Sequence, residues 1–121
     1  MEAMQALLTR RSTRRYKQEM PERELIEKVV NAGRHAPSGS NSQTKHFFVI
    51  SDSKIMKDLA DLVQKAFSHM EISDDTYISI RNAVNASKKG GYVFHYNAPV
   101  LIVTANRKGY GNAMADSACA L

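Results

Sequence analysis

The sequence contains one cysteine, no tryptophan and no long apolar run among its 121 residues. The lone thiol of Cys119 has no internal partner, which excludes a disulfide scaffold and favours a reducing compartment. Because this cysteine lies in an alanine-rich, helix-like stretch, we expect it to pack as a small buried side chain without a catalytic role. No run approaches the roughly 18 apolar residues of a membrane span, and the start lacks the features of a signal peptide. We therefore expect a soluble, cytoplasmic protein with no membrane partner.

Several chemical classes also lack their characteristic patterns. The sequence has no G-x-S-x-G elbow and no phosphate-binding P-loop, which weighs against acyl transfer and nucleotide hydrolysis. The pair Gly90-Gly91 and the triplet from Gly109 to Gly111 are too short for a dinucleotide fingerprint. The four histidines are scattered and have no cysteine pair or carboxylate at ligand spacing, so we expect no metal site. They are His35, His46, His69 and His95.

Charge is the most informative feature of the composition. The net charge of +5 and the isoelectric point near 9.5 indicate an anionic partner, namely nucleic acid, a membrane surface or a phosphorylated small molecule. Composition does not distinguish among these partners. The positions of the basic residues locate a candidate binding segment, because five of them fall within eight positions. They are Arg10, Arg11, Arg14, Arg15 and Lys17.

The hydrophobic pattern predicts one α+β domain over residues 1–121. We expect a short helix from Met4 that ends near Arg10, an extended segment over residues 12–16, and a helix that begins at Pro21 and stops at Gly33. A loop over residues 36–43 precedes a buried strand at 47–50 and a helix whose apolar face carries Ile55, Leu59, Leu62, Val63, Ala66 and Phe67. A weaker helix from Tyr77 is broken at Gly90-Gly91. A central strand, covered on both faces, follows at 99–105, and a last helix opens at Asn112.

The arginine cluster is a candidate phosphate site. In an extended segment alternate side chains share a face, which would align Arg10, Ser12 and Arg14. Guanidinium groups bind phosphate oxygens in bidentate fashion and keep their charge at any accessible pH. On charge alone, a solvated helix end explains the cluster equally well.

The loop from Pro37 to Gln43 is the second candidate site. It offers hydroxyls, amide side chains and the backbone N–H groups around Gly39, which suit the edge of a flat, heteroatom-rich ring. Most segments of this composition are ordinary surface turns, so the loop alone is weak evidence.

Together these segments resemble the nitroreductase family of FMN-dependent oxidoreductases. The resemblance rests on R-R-S-x-R after a helix, on A-G-R-x-A-P-S at the end of the next, and on N-x-Q before a strand. The A-P-V-L-I-V strand at 98–103 and D-S-A-C-A-L from Asp116 match too, so the resemblance covers Leu7 to Leu121. It implies a three-layer α+β sandwich with a central sheet flanked by helices, of which this chain is the N-terminal portion.

The resemblance also implies a cofactor site. Arg10 and Ser12 would hold the FMN phosphate, Arg14 would lie near the N1 and O2 atoms of the ring, and Arg11 would support the phosphate or ribityl chain. The remaining residues would reach the flavin from a second subunit of a homodimer, with the FMN at the subunit interface. They are Pro37, Ser38 and Gly39, with Asn41 and Gln43 close behind.

The implied reaction is hydride transfer from NADH or NADPH through the flavin to a small-molecule acceptor such as a nitroaromatic or a quinone. It would follow ping-pong kinetics and require no protein nucleophile. Relatives with these motifs also carry out dehalogenation, ring oxidation or flavin fragmentation. A basic nucleic-acid-binding module is the alternative from another class, although no zinc finger or RNP-like aromatic pair accompanies the charge.

Two departures from the family pattern bear on these expectations. Thr44-Lys45-His46 stands where the family commonly has Pro-Trp, which affects how the loop enters its strand. The family fold continues past the position of Leu121, and the last helical pattern stops without a cap. We therefore expect a truncated chain that, in isolation, binds FMN weakly or not at all.

Overall fold

Five helices and two strands follow one another along the chain in the computed structural model, which describes residues 2–121. In order they are α1 (Ala3–Thr9), α2 (Arg23–Arg34), β1 (His46–Ile50), α3 (Ser53–Ser68), α4 (Ile78–Lys88), β2 (Leu101–Ala105) and α5 (Ala113–Cys119). A single 3₁₀ turn, Gly39–Asn41, lies between α2 and β1. The mixture of helices and strands confirms the α+β prediction.

The two strands pair antiparallel, with His46 opposite Ala105 and Ile50 opposite Leu101. This register places Phe48 directly opposite Val103, on the same face of the sheet. Both side chains are exposed, and so is Val49. Both strands lie where the sequence predicts them, although β2 begins at Leu101 and not at Pro99. The expected burial at 47–50 and cover on both faces at 99–105 are wrong, since side chains of both strands are open to solvent within residues 2–121.

The best buried part of the chain lies between α3 and α4. Met56 and Ala60 of α3 and Ala83 and Val84 of α4 are buried, and Val84 is fully enclosed. The small alanine side chains allow the two helices to approach closely. Asp52 caps α3, since its carboxylate accepts hydrogen bonds from the backbone N–H groups of the first turn.

The predicted apolar face of α3 is only partly right. Ile55, Leu62 and Ala66 are exposed, whereas Leu59, Val63 and Phe67 are half-buried on the side of the helix that carries Met56. The buried stripe is thus rotated toward Met56 and Ala60, because α4 contacts α3 along that line. Beyond α4, Gly90 and Gly91 adopt φ values of 71° and 147°, which confirms the predicted break there.

The boundaries of α2 differ from the prediction at both ends. The helix begins at Arg23, two residues after Pro21, because Glu22 with φ −58° and ψ 142° is still extended. It ends at Arg34, so Gly33 lies inside the helix and does not stop it. A Cβ built on Gly33 would lie 2.9 Å from the carbonyl oxygen of Ala120 and 3.0 Å from the Phe47 ring. Gly33 therefore serves close packing and not helix termination.

The last helix differs from expectation in what it buries. Cys119 is exposed, contrary to the expected buried thiol, and the buried side chain of α5 is the carboxylate of Asp116. Over residues 2–121, no helix combines the length and the apolar character that crossing a bilayer requires.

Candidate functional site

The arginine segment follows directly on α1. The N–H of Arg10 donates to the carbonyl of Ala6 at 3.0 Å, and Arg10 then leaves the helix with φ −53° and ψ 137°. No helix or strand covers residues 10–16, in agreement with the predicted extended segment, and every side chain from residue 2 to residue 20 is exposed. The segment is therefore open to a ligand from solvent.

The arginines of this segment differ in how they are engaged. The Arg11 guanidinium turns back onto α1, where its Nη1 donates to the carbonyl oxygens of Arg10 at 2.9 Å and Leu8 at 3.4 Å. Arg10, Arg14 and Arg15 make no side-chain hydrogen bond or ion pair with any residue from 2 to 121. Three guanidinium groups thus remain free to bind an anion, and Arg11 is the least available of the four.

The Pro37 to Gln43 loop has an unusual backbone. Its 3₁₀ turn is closed by the N–H of Asn41, which donates to the carbonyl of Ser38 at 2.9 Å. Ser40, Asn41 and Gln43 have φ values of 50°, 52° and 48°, in the left-handed region that non-glycine residues rarely adopt. Each such residue costs on the order of 1 kcal/mol or more, so contacts from elsewhere must hold the loop in this shape.

Those contacts come from α5 and from the turn before it. The N–H of Gly39 donates to both carboxylate oxygens of Asp116, at 3.1 and 3.3 Å. On the other side, the hydroxyl of Tyr110 donates to the carbonyl of Gly39 at 3.0 Å and accepts from the Ser42 hydroxyl at 3.0 Å. We call the contacts of Asp116 and Tyr110 with Gly39 the Gly39 clamp.

Gly39 must be glycine for this arrangement to form. A Cβ at this position would lie 2.1 Å from Nδ2 of Asn112 and 2.6 Å from the hydroxyl of Tyr110. Real Cβ atoms do not approach other atoms so closely, and a side chain would displace the ends of the Asn112 and Tyr110 side chains and with them the hydrogen bond from Tyr110.

Thr44 and Lys45, which follow the loop, also hold it in place. Nζ of Lys45 donates to the carbonyls of Ala36 at 2.7 Å and Pro37 at 3.2 Å. The Thr44 hydroxyl donates to the Asn106 side chain at 2.6 Å. Hydrogen bonds thus direct the chain into β1, in a segment where the sequence offered no clear prediction.

A polar cavity of about 420 Å³ lies against the loop. Its wall combines three of the predicted site residues with basic side chains and contains no carboxylate within residues 2–121. The lining residues are Asn31, Arg34, His35, Ala36, Pro37, Asn41, Gln43, Lys45 and Phe47.

The arginine segment does not line this cavity, and no hydrogen bond of the described chain joins the segment to the loop. The N-terminal arm is attached elsewhere, through Nε2 of Gln18, which donates to the carbonyl of Asn97 at 3.1 Å. Within one copy of the chain, the two predicted halves of the site therefore remain separate.

Sequence reasoning missed the residues that hold the loop. Asp116 lay in a matched motif, but neither it nor Tyr110 was given a role. The feature that could have revealed Asp116 is a carboxylate in the alanine-rich segment A-D-S-A-C-A. An acidic side chain there needs a hydrogen-bond partner if the helix buries it against the rest of the fold.

Fold and site together define an α+β domain with a free cationic segment and a small-residue loop fixed by long-range hydrogen bonds. The chain belongs to the nitroreductase family, since the family model described as "Nitroreductase family" matches residues 7–121. This match confirms the family resemblance found in the sequence.

Individual relatives agree with this assignment. A protein of Archaeoglobus fulgidus provisionally named NADH dehydrogenase/NAD(P)H nitroreductase is 37% identical over 60 residues, which are 50% of this chain and 34% of that protein. A nitroreductase with bound FMN from Bacteroides fragilis superimposes with a TM-score of 0.80 at 28% identity, over 99% of this chain and 60% of that one.

A nitroreductase with bound FMN from Desulfitobacterium hafniense gives a TM-score of 0.78 at 28% identity, over 97% of this chain and 58% of that one. These likenesses confirm the nitroreductase-type fold. The chain spans about 60% of the length of these two solved structures and about a third of the curated relative.

Proposed function

We propose that this chain forms part of an FMN-dependent oxidoreductase of the cytoplasm. In this function NADH or NADPH supplies the hydride and a small-molecule acceptor, a nitroaromatic or a quinone, receives it. The observation that carries the proposal is the set of free guanidinium groups directly after α1, to which Arg10 and Arg14 belong. They occur in a chain whose fold matches two nitroreductases that contain bound FMN.

The chemistry of the donor set fits a phosphate monoester. Arg10 and Arg14 are exposed and have no partner in the described chain, and Ser12 adds an exposed hydroxyl between them. Bidentate, charge-assisted hydrogen bonds from arginine to phosphate are among the stronger polar contacts that proteins make. We assign phosphate binding to Arg10 and Ser12, and a supporting role to Arg11.

The loop residues fit the edge of a flat polar ring. Nε2 of Gln43 donates to Oδ1 of Asn41 at 3.0 Å, which leaves the Asn41 NH₂ group and the Gln43 carbonyl oxygen free for a ligand. Pro37, Ser38 and Gly39 bring backbone close to such a ring without a bulky side chain. The N–H of Gly39 is bonded to Asp116 and its carbonyl to Tyr110, contrary to the expectation of a free N–H there, so Gly39 would contact the ring without a hydrogen bond. We assign ring contacts to these five residues.

When bound, FMN supplies the two-electron chemistry that amino-acid side chains lack. The residues of this chain bind and orient, and none is required as a nucleophile. The fixed positive charge of Arg14, placed beside the ring, would favour the negative charge that reduction adds and so facilitate hydride acceptance. Alternation between reductant and acceptor at one site predicts ping-pong kinetics.

We further propose that the loop of one copy completes the site of a second copy. The support is that the cavity beside the loop is lined by none of Arg10, Arg11, Ser12 and Arg14, and that no hydrogen bond of the described chain joins the two segments. Sedimentation with FMN should then give a dimer, and a flavin-saturated monomer would contradict this arrangement.

The test of cofactor binding compares Arg10→Ala with Arg15→Ala. Both substitutions remove one charge from the same exposed segment, but only Arg10 belongs to the assigned phosphate site. Loss of charge-assisted hydrogen bonds of about 1.5–3 kcal/mol should weaken FMN binding by roughly 10-fold to 100-fold in Arg10→Ala. Flavin fluorescence quenching on the intact gene product measures this, and equal affinity of the two variants would contradict the assignment.

The arginine cluster also supports a second candidate function, the binding of nucleic acid. Such binding would depend on counterion release and would weaken steeply between about 50 and 200 mM salt. A salt titration against labelled DNA separates the two functions, because FMN retention should change much less. Failure to bind DNA at low salt would remove this alternative.

The acceptor class needs a separate test within the family. Stopped-flow reoxidation with a nitroaromatic, a quinone and a halogenated phenol would distinguish nitro or quinone reduction from dehalogenation. Turnover of the halogenated phenol alone would overturn the proposed acceptor class.

A further inference from the structure

We propose that Asp116 is a positioning residue, which fixes the Pro37 to Gln43 loop in the shape that contacts FMN. This inference rests on the proposed function of the loop. Tyr110 assists Asp116 by holding the opposite side of Gly39.

The burial of Asp116 is the first argument. The residue is only 6% exposed, and no lysine, arginine or histidine among residues 2–121 forms an ion pair with it. A carboxylate taken out of water is unfavourable unless it accepts hydrogen bonds. The hydrogen bond that its side chain accepts comes from the N–H of Gly39, which lies 77 positions away in the sequence.

The geometry around Gly39 is the second argument. Its N–H and its carbonyl are both bonded by side chains from the C-terminal part of the chain, Asp116 on one side and Tyr110 on the other. The missing Cβ leaves the room that Asn112 and Tyr110 occupy. Gly39 is thus held on three sides, and its conformation is set by α5 and the preceding turn.

The strained backbone beside Gly39 is the third argument. Ser40 and Asn41 both have positive φ values, which an unsupported loop of this composition would relax. The Ser42 hydroxyl joins the same network through Tyr110. Because the clamp lies at the start of this strained stretch, loss of the Asp116 acceptor should release the whole loop.

The first experiment measures amide hydrogen exchange by NMR in the unliganded protein, with Asp116→Ala against Asp75→Ala. Both variants remove one carboxylate and its charge, but Asp75 is exposed and Asp116 accepts the Gly39 N–H. We expect the Gly39 amide to exchange about 10-fold to 100-fold faster in Asp116→Ala and at an unchanged rate in Asp75→Ala. Unchanged exchange at Gly39 in a folded Asp116→Ala would overturn the proposal.

A second variant covers the case in which Asp116→Ala fails to fold. Tyr110→Phe keeps the ring and removes only the hydroxyl that bonds Gly39 and Ser42. Faster exchange confined to residues 39–43 in this variant supports the clamp. Unchanged exchange there, in a folded protein, overturns it.

Titration with FMN distinguishes failure of the clamp from failure of the proposed function. If the intact gene product binds FMN, Asp116→Ala should weaken the affinity by the factor by which it lowers the closed fraction of the loop, which exchange at Gly39 reports. Exchange that shows the loop to be mostly open, with an unchanged FMN affinity, overturns the positioning role. If the intact gene product does not bind FMN, the proposed function fails, whereas exchange at Gly39 still decides whether Asp116 holds the loop.

Discussion

Replacement of Gly33 by alanine separates two opposing effects on stability. Gly33 lies in the last turn of α2, where alanine is favoured over glycine by about 1 kcal/mol because glycine loses more backbone freedom on folding. In the structure, however, the new methyl group would lie 2.9 Å from the Ala120 carbonyl oxygen and 3.0 Å from Cε1 of Phe47. The oxygen belongs to the backbone and cannot rotate away.

The balance of these effects sets the sign of the change in the free energy of unfolding. Overpacking of this kind typically costs about 1–3 kcal/mol, which exceeds the gain in helix propensity. We therefore expect Gly33→Ala to lower the free energy of unfolding by up to about 2 kcal/mol, as measured by urea denaturation monitored by circular dichroism.

Ala32→Gly provides the matched control for this measurement. Ala32 is exposed at the neighbouring position of the same helix, so this variant measures the alanine-to-glycine difference without the packing contact. It should lower the stability by about 1 kcal/mol. If Gly33→Ala instead raised the stability by the amount that Ala32→Gly lost, the contact of α2 with Phe47 and Ala120 would not exist, and the reasoning would be refuted.

Three further predictions concern other parts of the chain. Asp52→Ala should lower the stability by about 1 kcal/mol in thermal melts, whereas Asp52→Asn should retain most of the α3 cap; equal losses would argue against capping. Burial raises the pKa of Tyr92, so the folded state holds this proton more tightly, and the associated stability is lost as pH rises above the unfolded value of about 10. Tyr92→Phe should therefore flatten the fall of Tm above pH 10, and an unchanged fall would contradict the assignment. Trypsin should cleave after the arginines at positions 10, 11, 14 and 15 before it cleaves after Arg23 in α2, and FMN should slow only the first cleavage. Equal protection at both places would indicate general stabilisation.

The sequence predicted best those features that depend on local chemistry. The loop after Ala36 and the break at Gly90 depend on proline and glycine, which disfavour regular helices, and both are present. The arginine segment is neither helix nor strand over residues 10–16. The order of helices and strands was also correct, because each element carries its own hydrophobic period.

Features that depend on distant partners could not be predicted in this way. Gly33 has the typical composition of a helix stop, but its role follows from Ala120 and Phe47, which are remote in sequence. The rotation of the buried face of α3 toward Met56 depends on where α4 lies. Burial of the strands was overestimated for a similar reason, because an apolar run in the sequence does not reveal whether one or both faces of the strand are covered.

The two halves of the candidate site are held by different kinds of contact, and this difference has functional consequences. The loop is fixed by hydrogen bonds that span 71 and 77 positions, so its shape exists before any ligand arrives. The segment with Arg10 and Arg14 has only local bonds and full exposure, so a bound phosphate would have to order it at a cost in conformational entropy. Substitutions in α5 should therefore act on how a ring is oriented. Substitutions that stiffen the arginine segment in its bound shape should improve affinity without adding a contact.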